Sequence, residues 1–589
     1  MGFQVSPGVK VTERDLTSII PAVATTPAGI VGQFKWGPAE QRIVVSSEND
    51  LYQLFGSPDI DTFPYFFSAA NFLQYGNNIQ VVRGVSGDAI NAVASNNNAT
   101  GASAYLIKNR DDYDGSYDVN DGGYSTNRSA YFAARYPGSL GNSLRIEACD
   151  GLSAFNVWSL SGNFSSPPGT SQYVTNLNGS QSAGDEIHIA VIDEDGVFSG
   201  ITGTILELYE GLSKATDARK GDGNSNYYKR VINETSAYAY WLNHINGVST
   251  HVSTGTGNYG TISGTAAGSA VGLGATDGLY IGQFTGGSVG TNPNQSQIAA
   301  LYSTYFGDAD NVDVSLLLGG PLIGAPAATV AQVASGRKDC VAFFSSPNSN
   351  PLATSTTKLG NCTTLKNAIG SNSYAFIDSG YKYQYDRYND TYRWVPLNGD
   401  IAGLCARTDE TNDPWWSPAG FNRGSVRGVI KLGFNPSATD RDIIYPKGIN
   451  PVVTFPGDGT VLYGDRTAQT KPSAFDRINV RRLFIVLEKA ISIAAKYQLF
   501  EFNDAFTRSS FLSMVTPFLR DVQARRGIYD FKVICDETNN TAEVIDSNRF
   551  VADLYIKPAR TINFIQLSFI ATRTGVNFEE VATLSIPGN

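Results

Sequence analysis

Residues 312–344 read VDVSLLLGGPLIGAPAATVAQVASGRKDCVAFF. No charged residue falls between Val314 and Gly336, a stretch as long as a membrane span. Gly319, Gly320, Pro321, Gly324 and Pro326 break it up, however, and Gly and Pro punctuate chains into turns. The run therefore divides into a strand over Val312–Leu318, a turn, a helix over Ala327–Ser335 and a strand over Cys340–Phe344. Strand, helix, strand at this spacing predicts a βαβ unit, hence a parallel sheet with helices packed on it. A helix over Ile298–Tyr305 leads into it.

Downstream, Tyr381, Tyr383 and Tyr385 alternate, Asn389-Asp390 supplies a turn, and Tyr392 and Trp394 alternate back. That pattern predicts a hairpin with aromatic cross-strand pairs. Val480, Phe484, Leu487, Ile491 and Ala494 recur at helical steps, which predicts a helix over Ile478–Tyr497, and a second follows over Asp504–Arg526. Strands over Tyr529–Cys535, Phe550–Ile556 and Ile562–Ala571 end the chain.

Upstream, residues 1–24 are thin and extended. Val9 and Val11 alternate with Lys10 and Thr12 after Pro7-Gly8, a strand without a nearby hairpin partner. Phe63, Phe66, Phe67, Ala70 and Leu73 predict a helix within Asp61–Tyr75, and Ile79–Val85 a strand. Asp88–Arg128, rich in Asn, Gly, Asp and Tyr, reads as a surface insertion. Tyr131–Ser288 mixes short strands with Gly/Ser/Asn-rich connections and one helix over Asn226–Asn243.

With 589 residues the chain holds several domains, and 60 glycines favour many turns. Its net charge of -10 and lack of any Lys/Arg run argue against a whole-chain role in binding nucleic acid. The five cysteines (Cys149, Cys340, Cys362, Cys405, Cys535) never form a CxxC pair and read as small buried hydrophobes. The N-terminal MGFQVSPGVKV lacks the basic start and apolar core of a secretory signal. It meets the loose myristoylation pattern through Gly2 and Ser6, but no second membrane signal accompanies it, so no membrane insertion is expected.

Chemistry is sparse. His188, His244 and His251 stand apart from one another, outside any ligand spacing. No GxxxxGK[ST] loop is present, no GxSxG forms a strand-to-helix elbow, and no GxGxxG falls between a strand and a helix. Asp193-Glu194-Asp195-Gly196 and Asp118–Gly123 suggest calcium loops, yet each misplaces a ligand or the glycine, and turn chemistry explains both. The expectation is no catalytic residue, no metal and no cofactor.

The stretch YKYQYDRYNDTYRWVPLNGDIAGLCARTD (381–409) closely resembles the signature region of T-even-type phage tail sheath proteins. The likeness continues in WWSPAGFNRG (415–424), GDGTVLYGDRT (457–467), FDRINVRRL (475–483), NDAFTRSSF (503–511), CDETNNT (535–541) and YIKPARTINFIQLSF (555–569). On the N-terminal side it includes SPGVKVTE (6–13), FKWGPA (34–39) and NFLQYGNNIQVVR (71–83), with YPGSLGN (136–142) between. The family can carry a large protruding outer domain after the NFLQYG segment, and only about fifty residues separate Arg83 from Tyr136 here, so that domain is expected to be reduced.

The resemblance implies a structural subunit of the contractile sheath. Hexameric rings would stack helically around a tail tube, and contraction would drive the tube through the host envelope. Tail tube, baseplate and tail terminator proteins would be the other partners, in the virion tail after assembly in the host cytoplasm. The alternative is another tail component, such as a baseplate or fibre protein, though a fibre would show long repeats. An enzyme such as a polysaccharide hydrolase is a third reading.

The expected fold is mixed α/β and multidomain. It comprises an N-terminal arm (1–24), an α/β sheath domain (25–87 with 296–475), a β-rich outer insertion (88–295), an inner C-terminal domain (476–560) and a C-terminal strand or arm (561–589). The inner part is expected to draw on both chain ends. Strand exchange between copies would use Val9, Val11 and Glu13 at one end and Ile562, Phe564, Ile565, Leu567 and Phe569 at the other. The receiving sheet would hold Phe531, Val533, Cys535, Val551, Leu554 and Ile556. Arg520, Arg525 and Arg526 are the candidates for contact with the tube, and Arg477, Arg481 and Arg482 a second set.

Overall fold

The computed structural model describes residues 26–95, 105–118, 130–179, 183–254, 258–263, 265–266 and 277–563. The uncharged run folds as its punctuation predicts: strand Leu316–Leu318, helix Gly324–Arg337 and strand Val341–Ser345, with Leu316 beside Val341 in parallel. Among the described residues no helix is long and apolar enough to cross a membrane.

This unit is the middle of a seven-stranded sheet. Its order is Ile449–Asn450, Ala375–Asp378, Val341–Ser345, Leu316–Leu318, Ala28–Gly32, Ile79–Arg83 and Arg42–Val45. All neighbours run parallel except the last pair. From Leu316–Leu318 the chain adds strands in one direction, and from Ala28–Gly32 in the other. Right-handed crossovers then put helices on opposite faces, which makes the sheet doubly wound.

Two glycines of one strand record both layers. A Cβ on Gly29 would stand 2.7 Å from the Phe306 ring of helix Gln295–Phe306, and one on Gly32 2.7 Å from Tyr65 of helix Phe63–Leu73. Residues 29 and 32 point to opposite faces of a strand, so each helix layer drives an aromatic ring down where a side chain is missing.

A second sheet of five strands lies in the insertion, built around Leu144–Cys149, Glu186–Asp193 and Thr204–Ser213. Asp193 ends its strand, and its side chain supplies the turn chemistry expected of the stretch that follows. Its buried carboxylate accepts from the N–H groups of Val197, Phe198 and Ser199 and from Ser143 Oγ. His188 is a satisfied core residue, stacked 4.8 Å from Phe164, with Nδ1 accepting from the Gly211 N–H. All five cysteines are buried.

Two readings of this region need correction. The helix expected over Asn226–Asn243 covers only Tyr228–Thr235, and Ala239–Trp241 is a strand. Ser236 makes the break, its Oγ accepting from the N–H groups of Tyr238 and Ala239. The stretch read as surface insertion, Asp88–Arg128, carries core residues. Tyr105, Ile107 and Tyr113 are buried against Ala133 and Tyr240, and Asn91 ties the segment in by bonding both Ile107 and Ala134.

Arg83 fastens insertion to sheet. At the end of strand Ile79–Arg83 its buried guanidinium donates to the carbonyls of Phe34 (2.8 Å), Gly37 (2.8 Å) and Pro137 (2.7 Å). The planar fork reaches several carbonyls at once, which an ammonium does not match. It joins three stretches of the resemblance: NFLQYGNNIQVVR, FKWGPA and YPGSLGN.

The tyrosine hairpin forms as read. Tyr381–Asp386 pairs with Thr391–Pro396, setting Tyr383 opposite Trp394 with rings 4.7 Å apart. Long helices follow over Ile478–Lys496 and Ala505–Ala524. Pro517 lies inside the second and has no N–H for the carbonyl of Ser513. The chain divides into two compact units, Met1–Val515 and Thr516–Asn589.

Candidate assembly interface

A doubly wound sheet offers ligands a crevice at the carboxyl ends of its strands, where the strand order reverses. Here that point lies between Ala28–Gly32 and Leu316–Leu318, and protein fills it. Tyr65 sits over Gly32 and Gly320, and Asn398 Nδ2 donates to the Gly320 carbonyl at 2.7 Å. The space left beside it, lined by Gln33, Arg83, Gly84 and Asn292, is ≈ 90 Å³. A water needs about 10–15 Å³ of such space, so the remainder holds several waters beside the Tyr65 and Asn398 plug.

Next to the plug is a buried polar cluster. Asp378 accepts from Ser345 Oγ and the Gly380 N–H, both at short range. Burial pushes its carboxyl well above the usual carboxylate range, and the nearby Asp400 adds to the effect. Asp400 accepts from Lys382 Nζ at 2.8 Å and from Tyr75 O–H at 3.2 Å, all of them buried. These groups hold helix Asn398–Thr411 and the tyrosine hairpin to the sheet, and none opens to a substrate.

The unit Thr516–Asn589 contains a different kind of site. Strands Ile528–Ile534 and Asp553–Pro558 pair antiparallel with a bulge near Tyr529. Phe531 lies opposite Ile556 and Val533 opposite Leu554. Alternation puts these four side chains on one half-buried apolar face, while Lys532, Tyr555 and Lys557 face solvent. Among the described residues no third strand pairs with either edge. Two strands alone are marginally stable in water, and their edges present unpaired N–H and C=O groups to an incoming strand.

The connection CDETNNT explains how so small a sheet keeps its shape. Asn539 Nδ2 donates to the Ile534 carbonyl and to Asp553 Oδ2, which joins the end of one strand to the start of the other. Asn540 Nδ2 donates to the carbonyls of Asp536 and Val551. Sequence reasoning used these asparagines as a likeness and missed their role, although Asn runs between strands are a turn signal.

Of the receiving residues, Phe531, Val533, Leu554 and Ile556 come together on the hairpin. Cys535 is buried one position beyond its strand, and Val551 lies two residues ahead of the other, so the strand read as Phe550–Ile556 is Asp553–Pro558. A short helix, Ala542–Asp546, separates the two strands and was not anticipated. Ile562 is exposed at the end of the described chain. Val9, Val11, Glu13, Phe564, Ile565, Leu567 and Phe569 lie outside the described residues.

Arg520, Arg525 and Arg526 are exposed, but they do not share a helix face. The helix ends at Ala524, Arg525 pairs with Asp521 at 3.6 Å, and Arg526 has φ 65. The second set is internal. Arg482 bonds Asp409, Arg481 lies between the Tyr374 and Phe475 rings at 4.2 and 3.9 Å, and Arg477 donates to Tyr445 and Asp465.

Fold and hairpin together describe a multidomain α/β structural protein, and the comparisons give its class: the chain belongs to the tail sheath protein family. Three family models match it: the tail sheath protein Gp18 domain III N-terminal region over residues 25–83, the phage tail sheath protein central domain over 323–468 and the phage tail sheath C-terminal domain over 470–572. The tail sheath protein of Vibrio phage KVP40 is 36% identical over 98% of this chain and 99% of its own length. That of Enterobacteria phage T4 is 33% identical over 99% of both chains. Among solved structures, the sheath tail protein Lin1278 from Listeria innocua aligns over 91% of this chain and 96% of its own, at 11% identity and a TM-score of 0.49.

Proposed function

We propose that this chain polymerises by strand exchange, each copy adding its terminal segments to the hairpin of a neighbour. The observation that carries the reading is the hairpin itself: an apolar inner face, two edges left open among the described residues and a clamped connection, in a chain of the sheath family. Residues 9–13 and 562–571 are the donors, and Ile528–Ile534 with Asp553–Pro558 the receiver.

In this reading rings of six copies stack around a tail tube, bounded by baseplate and terminator proteins. They assemble in the host cytoplasm and contract once to drive the tube through the envelope. Residues 25–87 and 296–475 form the sheath domain, 88–295 the outer insertion and 476–560 the inner domain, with 1–24 and 561–589 as arms. The filled crevice supports a non-enzymatic role. A gain of ~1–3 kcal/mol per subunit, comparable to a single coupling energy, sums over many copies into a cooperative stroke.

The test is Val11→Pro. Proline removes a backbone donor and is poorly tolerated inside a paired strand. Electron microscopy should show no tubes, while the thermal melt of the monomer stays as in wild type. A lowered melting point would put the strand in its own subunit, and normal tubes with a normal melt would remove the N-terminal arm from the mechanism.

A further inference from the structure

Between the two long helices the chain runs through YQLFEFNDAF, residues 497–506. Five large apolar side chains stand in solvent there: Tyr497, Leu499, Phe500, Phe502 and Phe506, from 63% exposed at Leu499 to 106% at Phe500. Single exposed hydrophobics need no explanation, but five within ten residues make a patch of the kind that marks protein contacts.

The backbone adds a second observation. Phe500 has φ 70, a conformation that glycine and asparagine tolerate and a bulky residue rarely takes. A ring held fully in water gives an isolated copy nothing to set against that strain. Conformations of this kind persist where something besides local preference selects them.

We propose that this turn seats on a second copy of the chain, a contact that rests on the polymerisation reading above and is separate from strand exchange. Size supports that occupant. Five such side chains offer roughly 600–800 Å² of mostly apolar surface, close to the ~800 Å² per partner of a standard stable interface. Charge supports it too. The turn carries Glu501 and Asp504 and no Lys or Arg, so it has no cation to grip an acidic surface. A contact between this patch and a different patch on the next copy repeats without closing, as a filament requires.

Two variants of the full-length chain test it by sedimentation, electron microscopy and thermal melting across concentration. The triple change Phe500→Ser, Phe502→Ser, Phe506→Ser should raise the concentration needed for tubes at least about tenfold and leave the melt cooperative. Phe500→Gly relieves the backbone and removes the ring, so it should melt at the same or a higher temperature while assembling less readily. A merely structural role would move both readouts downward together.

Variants that grow tubes as wild type does overturn the contact and leave the polymer reading intact. A wild type that stays monomeric at every concentration overturns both. Normal growth alone with failure only on isolated tail tubes would assign the patch to the tube instead. Below the assembly threshold, wild-type monomer should bind an apolar dye more than the triple variant. Equal binding would mean that another segment of the same chain covers the turn, and the proposal would fall.

Discussion

Asn540 brackets Val551 from both sides: its Nδ2 donates to the Val551 carbonyl at 2.8 Å and its Oδ1 accepts from the Val551 N–H at 2.9 Å. One side chain thus does for Val551 what a neighbouring strand does for a ladder residue. It also fixes where the second strand of the hairpin begins.

Asn540→Ala should therefore loosen the hairpin by about 1–3 kcal/mol, the cost of leaving partly buried backbone groups unpaired. Amide exchange across Ile528–Ile534 and Asp553–Pro558 should speed up by the corresponding factor. Exchange in the seven-stranded sheet should not change.

Arg83→Met keeps much of the side-chain volume and strands the carbonyls of Phe34, Gly37 and Pro137. Two or more orphaned buried acceptors make a loss of about 3–5 kcal/mol the expected result in a denaturant titration. Arg83→Lys should recover only part of it, because an ammonium cannot reproduce the fork.

Asp378 gives a pH-dependent prediction. Its folded-state pKa is raised by burial, so the stability it contributes is full below the unfolded carboxylate value near 4 and is lost as pH rises toward the folded value. Asp378→Asn has no proton to lose. The melting difference between wild type and variant should shift in favour of the variant from pH 4.5 to pH 8. A difference that is flat with pH would count against a protonated Asp378.

If Arg520, Arg525 and Arg526 face a tail tube, changing all three to Gln should weaken sheath growth on isolated tubes and flatten its salt dependence. Screening acts over about 8 Å at ~0.15 M salt, so the wild-type advantage should fade as salt rises. Identical growth at every salt concentration would leave these exposed arginines without that role.

Much of the scaffold was legible because strong periodic signals are local. The Gly and Pro positions of 312–344 separated strand from helix, and the alternating tyrosines fixed the register that sets Tyr383 against Trp394. The helix over Ile478–Lys496 needed only its own apolar spacing. What escaped was decided by distant partners. Tyr105, Ile107 and Tyr113 looked like surface residues because Ala133 and Tyr240, which bury them, come much later in the chain. Arg481 and Arg482 looked like free cations because Tyr374 and Asp409, which hold them, lie far upstream. The break at Ser236 was overlooked because a short helix and a following strand together imitate one longer apolar run.

Among the described residues both long sides of the hairpin are open, which on the strand-exchange proposal would give each copy a valence of two. A sheet with one free side can join copies only into a string, where a single broken link parts the assembly. On the strand-exchange proposal, two free sides and two donor segments would lace every copy to several others at once. Such a fabric can be sheared and compacted while each thread stays in place, because the threads are backbone ladders whose hydrogen bonds do not depend on how the bodies between them are turned. Lys532, Lys557 and Asp530, exposed along that hairpin, then matter before assembly rather than after it: charge beside an unfilled edge slows the wrong strands from knitting in first.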